Sequence, residues 1–139
     1  MERDTIVFSS NILLIDDDEK VRTFLKIILR TLGFINVDTC NGGLDVERRM
    51  SVKPYALIFL DINMPGVDGM SLLKLILQKH PKTRVVMCSA DSTAQNVKKA
   101  MTAGAAGFLA KPVLAKNIIP LFDKMGVEYD DLVSEQRSH

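Results

Sequence analysis

Four features of this 139-residue chain carry groups that could do chemistry together: the acids Asp16-Asp17-Asp18, the single acid Asp61, the hydroxyl of Ser89 and the amine of Lys111. Asp61 closes the apolar run Tyr55-Ala56-Leu57-Ile58-Phe59-Leu60 and is followed by Ile62-Asn63-Met64-Pro65-Gly66. A run this short, ended by a charge and then a Pro/Gly turn, predicts a buried strand that delivers Asp61 to its C-terminal lip. Ile12-Leu13-Leu14-Ile15 runs in the same way into the three acids, Val85-Val86-Met87-Cys88 into Ser89, and Gly107-Phe108-Leu109-Ala110 into Lys111-Pro112. Ligands bind at that lip in open α/β sheets, so acids, a hydroxyl and an amine are expected on one rim.

Clustered carboxylates repel one another unless a cation offsets them. Asp16, Asp17 and Asp61 together suit a hard cation, of which Mg2+ is the simplest, because it takes one or two carboxylates and keeps waters. A plainer reading stands beside it: Asp18 caps the next helix, Asp16 and Asp17 are solvated loop acids, and Asp61 is an acid in a turn. A carboxylate can also act as a nucleophile and carry a phosphoryl group if a metal and an amine offset the incoming charge. Lys111 offers a compact cation and Ser89 a hydroxyl donor.

Five strand-then-helix units are expected to position these groups. Strands at residues 12–15, 35–40, 55–61, 85–88 and 106–110 alternate with helices at 19–32, 44–51, 71–79, 92–103 and 114–125. Val21, Phe24, Leu25, Ile28, Leu29 and Leu32 give the first helix its apolar spacing, and Gly33 closes it. His80-Pro81 stops the third helix, His80 reading as a residue at its C-terminal end helped by the local dipole, and Gly104 ends the fourth. Pro120 should start, kink or shorten the fifth. Strict alternation implies a doubly wound α/β domain, a parallel sheet with helices on both faces.

A chain of this length makes one domain and can bury roughly two thirds of its unfolded surface. Eighteen basic and seventeen acidic residues leave a net charge of +1, which gives no electrostatic reason to expect nucleic acid or membrane binding. Cys40 and Cys88 each lie in or beside an apolar segment and read as buried reduced thiols. The charged start Met1-Glu2-Arg3-Asp4 precedes no signal-type apolar stretch, and no run is long enough to span a bilayer. A cytoplasmic protein is expected. Residues 1–10 read as a lead, 11–125 as the domain, and 126–139 as a polar tail or the start of a linker.

The segments Leu13–Asp18, Leu57–Gly69, Val86–Ala90 and Gly107–Pro112 resemble the receiver domain of two-component response regulators, over roughly residues 11–125. That resemblance implies a flavodoxin-like five-stranded sheet of order 2-1-3-4-5 with five helices. It implies Asp61 as acceptor of a phosphoryl group from a histidine kinase or a histidine phosphotransfer protein. Asp17, Asp61 and the Asn63 backbone carbonyl would hold Mg2+, with Asp16 acting mainly through water. Ser89 and Lys111 would pair with the phosphoryl oxygens, and Pro112 would follow a cis peptide. Phe108 falls at the aromatic switch position, where a core phenylalanine is the plainer reading. Asn63 and Asp91 fall at positions that set the lifetime of the phosphoryl group. The implied output is by protein contact, to a downstream target or a fused output domain, with phosphorylation-dependent homodimerisation as a further option. Independent substrate turnover and direct nucleic acid binding are not expected.

Three rivals share parts of this pattern. A phosphatase of the haloacid dehalogenase type would use Asp16 as nucleophile, but Lys20 stands where that family has Thr or Val, and the Asp61 motif is left over. A receiver-like module that works without phosphorylation would keep the fold, yet such modules usually lose the acceptor, an acid or the lysine. A dinucleotide-binding fold needs a Gly-rich loop where Asp16-Asp17-Asp18 stands.

Overall fold

The computed structural model describes residues 5–42 and 45–130. Gly43, Leu44 at the expected start of the second helix, residues 1–4 of the lead and residues 131–139 of the tail lie outside the described residues. The elements run β1 (Asn11–Ile15), α1 (Glu19–Thr31), β2 (Asn36–Cys40), α2 (Val46–Val52), β3 (Leu57–Asp61), β4 (Asn63–Met64), β5 (Val67–Asp68), α3 (Gly69–Lys79), β6 (Arg84–Ser89), α4 (Ala94–Thr102), β7 (Gly107–Ala110) and α5 (Ala115–Met125). The five long strands form one parallel sheet of order β2-β1-β3-β6-β7, the expected 2-1-3-4-5 winding. β4 and β5 form a separate two-residue antiparallel hairpin just after Asp61.

Strand side chains alternate between two cores because successive residues point to opposite faces. Ile12, Leu14, Leu57, Phe59, Val86 and Cys88 pack with Leu25, Ile28 and Leu29 of α1 and Ile118 and Phe122 of α5. Leu13, Ile15, Ile58, Leu60, Val85 and Met87 pack on the other face with Val46 and Met50 of α2, Leu72, Leu73 and Ile76 of α3, and Ala100 of α4. Burying each large aliphatic or aromatic side chain stabilises the fold by about 1.5–3 kcal/mol. Cys40 and Cys88 are both free and buried, and burial pushes the Cys88 thiol up to about 12.

Two sequence expectations need correction, and one element was not foreseen. Phe24 is not part of the inward stripe of α1: it is 49% exposed and Ile27 57% exposed, because Leu25, Ile28 and Leu29 occupy the contact face. Pro120 does not start or end α5, which runs from Ala115 to Met125 through it. Its ring faces solvent, and the buried anchors Ile118 and Phe122 hold the helix on either side. The tight Pro65-Gly66 link also makes a hairpin that periodicity could not reveal, with Gly66 at φ +71° as the turn requires. His80 forms the C-cap of α3, just past its last helical residue Lys79, and its N–H bonds the Ile76 carbonyl.

Candidate functional site

β1 and β3 are neighbours at the point where the winding of the sheet reverses, and Ile15 pairs with Leu60. The residues that follow, Asp16 and Asp61, therefore meet at the crevice where ligands bind in this architecture. Asp61 is 4% exposed and Asp16 6%, whereas Asp17 faces solvent. Carboxylate oxygens of these three acids lie within 4.8 Å of one another. Asp18 points away from the group: it caps α1, accepting the Lys20 N–H at 2.9 Å. The plainer reading therefore holds for Asp18.

Lys111 arrives from the end of β7 and places Nζ 2.7 Å from Asp16 Oδ2 and 3.2 Å from Asp61 Oδ1. Burial, and then the neighbouring Asp16 charge, push the Asp61 carboxyl above the ordinary carboxylate range, against the opposing pull of Lys111 and the Asn63 N–H. Burial alone would lower the Lys111 ammonium, but its two acidic partners outweigh it and hold the group above its ordinary value. Acid and amine thus support each other's charge. The peptide between Lys111 and Pro112 is cis.

Asp16 is held by every polar group it has. Its N–H donates to the Cys40 carbonyl, its Oδ1 accepts the Asp18 N–H at 2.9 Å, and its Oδ2 meets Lys111. Its carbonyl accepts from Arg22 Nη1 at 2.7 Å. Arg22 also lines the cleft with Asp61 and Lys111, a position no motif singled out. The available signal was a basic residue one turn beyond the Asp18 cap. Asp17, by contrast, makes no hydrogen bond or ion pair among the described residues, so its carboxylate is available to a cation. A solvent-facing acid, a buried acid and a third acid fixed beside them form an all-oxygen donor set that fits Mg2+.

Ser89 ends β6 and is fully buried. Its oxygen accepts from the Asp91 N–H at 3.0 Å and from the Asn63 side-chain amide at 3.4 Å. Asn63 also donates its backbone N–H to Asp61 Oδ1 at 3.2 Å. Asp91 is exposed at the start of the loop leading to α4. Phe108 is half-buried in β7 and packs against the core on the α3 and α4 side, apart from the acids. The structure thus brings Asp16, Asp17, Asp61, Asn63, Ser89 and Lys111 to one rim, with Asp91 beside it and Phe108 behind.

A sheet of this winding with an acid pocket and a half-buried lysine at its switch point defines a class, and sequence comparison agrees with it. The chain belongs to the response regulator receiver domain family, whose profile matches residues 12–122. It is 35% identical over 114 residues to the chemotaxis protein CheY of Listeria monocytogenes, covering 81% of this chain and 95% of the relative. It is 34% identical over 115 residues to the response regulator protein FleR of Pseudomonas aeruginosa, covering 81% of this chain but only 24% of FleR. Among solved structures, CheY in the CheX-CheY-BeF3-Mg2+ complex of Borrelia burgdorferi superposes with a TM-score of 0.76 at 28% identity, covering 86% of this chain and 90% of that one. A CheY-like receiver domain from Methanospirillum hungatei has a TM-score of 0.75 at 22% identity, covering 84% and 93%, and likewise shows the fold. Receiver domains are signalling domains that interact with histidine kinases and with output or target proteins. The phosphatase and dinucleotide-binding readings are set aside by this fold and family.

Proposed function

We propose that this domain receives a phosphoryl group on Asp61 from a histidine kinase or a histidine phosphotransfer protein and signals by altering a protein-binding face. The observation that carries this reading is the convergence of Asp61, Lys111 and two further acids within one small crevice. Asp61 Oδ1 is engaged by both Lys111 and the Asn63 N–H, which leaves Oδ2 to attack phosphorus. As the new P–O bond forms, the P–N bond of the donor phosphohistidine breaks and the donor imidazole leaves. Lys111 neutralises charge on the phosphoryl oxygens, and Ser89 donates its hydroxyl hydrogen to one of them.

Asp17, Asp61 and the Asn63 carbonyl would hold Mg2+, with Asp16 acting through water since its oxygens already have protein partners. When bound, Mg2+ supplies positive charge opposite the phosphoryl oxygens. Pro112 fixes the chain that follows Lys111. Asn63 and Asp91 flank the path of an attacking water and tune hydrolysis, while any rearrangement at Phe108 runs on packing, since its ring has no hydroxyl. The exit for the signal is the surface of α4, β7 and α5, read by a target protein, a fused output domain or a second copy, in the cytoplasm. Among the described residues no helix is long and apolar enough to cross a membrane.

Intact-mass spectrometry after incubation with acetyl phosphate and Mg2+ tests the reading. One added phosphoryl group is expected, lost in Asp61→Ala and when the metal is chelated. Labelling that survives Asp61→Ala would overturn the assignment and leave a receiver-like module that works without this acceptor.

A further inference from the structure

The hydroxyl oxygen of Ser89 is engaged from two directions, by the Asn63 amide and by the Asp91 N–H. Asn63 is tied in turn to Asp61 through its own backbone, so one residue spans from the carboxylate to the hydroxyl. From Asp91 the contacts continue into α4. Asp91 Oδ1 accepts the Thr93 N–H at 3.3 Å, and its carbonyl accepts from the Asn96 side-chain amide at 3.2 Å. Thr93 Oγ1 accepts the Asn96 N–H at 3.4 Å and so caps α4. Asn96 therefore has its backbone in the first turn of the helix and its side chain on the carbonyl of a residue two positions beyond Ser89.

A hydroxyl oxygen has two acceptor positions, and here both are in use. Drawing Ser89 toward a phosphoryl oxygen on Asp61 means giving up or remaking its contacts with Asn63 and Asp91. Asn96 resists the second change because it clamps the Asp91 carbonyl to α4.

We infer that Asn96 is a positioning residue for the phosphoryl switch: its side-chain amide holds the Ser89–Asp91 turn in the conformer seen here and couples movement of Ser89 to reorganisation of the first turn of α4. This rests on the reading of Asp61 as acceptor. A ligand shifts a two-state equilibrium only through its differential affinity for the two states. Contacts made in this conformer alone therefore weaken the apparent binding of any phosphoryl-like ligand, and removing one should tighten it.

Asn96→Asp keeps the side-chain shape but removes the donor to Asp91. An acid at this position, the third of α4 behind the Thr93 cap, also favours the helix start through the capping-box arrangement and the helix dipole. Binding of beryllofluoride, a phosphoryl mimic, is measured by titration in Mg2+, alongside amide hydrogen exchange across residues 91–97. Asn96→Asp is expected to bind about fivefold more tightly than wild type, the equivalent of one neutral hydrogen bond unique to the competing conformer. Exchange in the free variant is expected to move part of the way from the free wild-type pattern toward that of wild type with beryllofluoride bound. Asn96→Ala should shift both readouts in the same direction without the added charge. Faster exchange with no tightening marks a merely structural role and overturns the inference, as does unchanged binding in both variants. If wild type itself takes up no beryllofluoride, the Asp61 reading falls and the relay with it. Wild-type binding with unaltered variants removes the relay alone.

Discussion

Asp61 stands in a site that disfavours its own charge: burial and the nearby Asp16 raise its carboxyl, and Lys111 only partly offsets them. Asp61→Asn should therefore stabilise the metal-free fold, with Tm rising by about 3 °C. The sign in pH follows from the raised folded-state value. The penalty is fully present above that value and disappears below the ordinary carboxylate range, where both states are protonated. Thermal melts of the pair should thus diverge at neutral pH and converge as acid is added; a constant difference would show that packing rather than charge is responsible. At this scale, Asp61, Ser89 and Lys111 were legible in the sequence because each follows an apolar run, and strand ends in such a sheet have a known place. Arg22 and Asn96 were not. Their importance depends on where a flexible side chain reaches, to the Asp16 carbonyl in one case and the Asp91 carbonyl in the other, and no residue spacing encodes that.

Between β3 and α3 the chain turns through the β4–β5 hairpin and enters the helix at Gly69 with almost no clearance. A Cβ on Gly69 would lie 2.6 Å from the Ile62 Cα and carbonyl oxygen and 2.8 Å from the Asp61 carbonyl oxygen. Backbone cannot yield as a flexible side chain can, so Gly69→Ala is expected to cost about 1–3 kcal/mol. Urea denaturation would show the loss as a lower midpoint, and acetyl phosphate labelling of Asp61 should slow in the same variant; an unchanged midpoint would mean that the loop relaxes freely. The sequence suggested a turn at Pro65-Gly66, yet a two-residue strand pair is too short to leave a periodic trace, and the helix start at Gly69 contradicts the usual bias against glycine in helices. Helix α5 illustrates the converse: local preference argued against continuing through Pro120, and the burial of Ile118 and Phe122 prevailed.

For the molecule as a whole, the packed body extends beyond the five strand-helix units. Ile6 and Val127 are both buried in the α1/α5 core. Phe8, Phe34, Phe122 and Tyr129 form a row of edge-on and tilted ring contacts with centroids 5.7–6.5 Å apart. The Asp130 N–H reaches the Leu32 carbonyl at 2.8 Å. Truncation after Met125 should therefore lower stability by about 2–4 kcal/mol, as loss of a large buried side chain does; chemical denaturation of the shortened chain checks this, and an unchanged midpoint would place residues 126–139 outside the folding unit. Doubly wound topology was legible from alternation alone, while this lower layer was not, because the triplet Ile6-Val7-Phe8 and the lone Val127 are too short to show a helical or strand repeat. The same layer has a practical consequence. The Phe8 carbonyl accepts the Ile35 N–H just before β2, and the Met125 carbonyl accepts from Arg84 at the start of β6, so both ends of the described chain lie at the N-terminal edge of the strands, opposite the acids. A reporter protein or surface tether joined next to Thr5 or Asp130, at the limits of the described residues, would stand away from the acidic mouth and leave it open to a donor, which suits the domain to immobilised phosphotransfer assays.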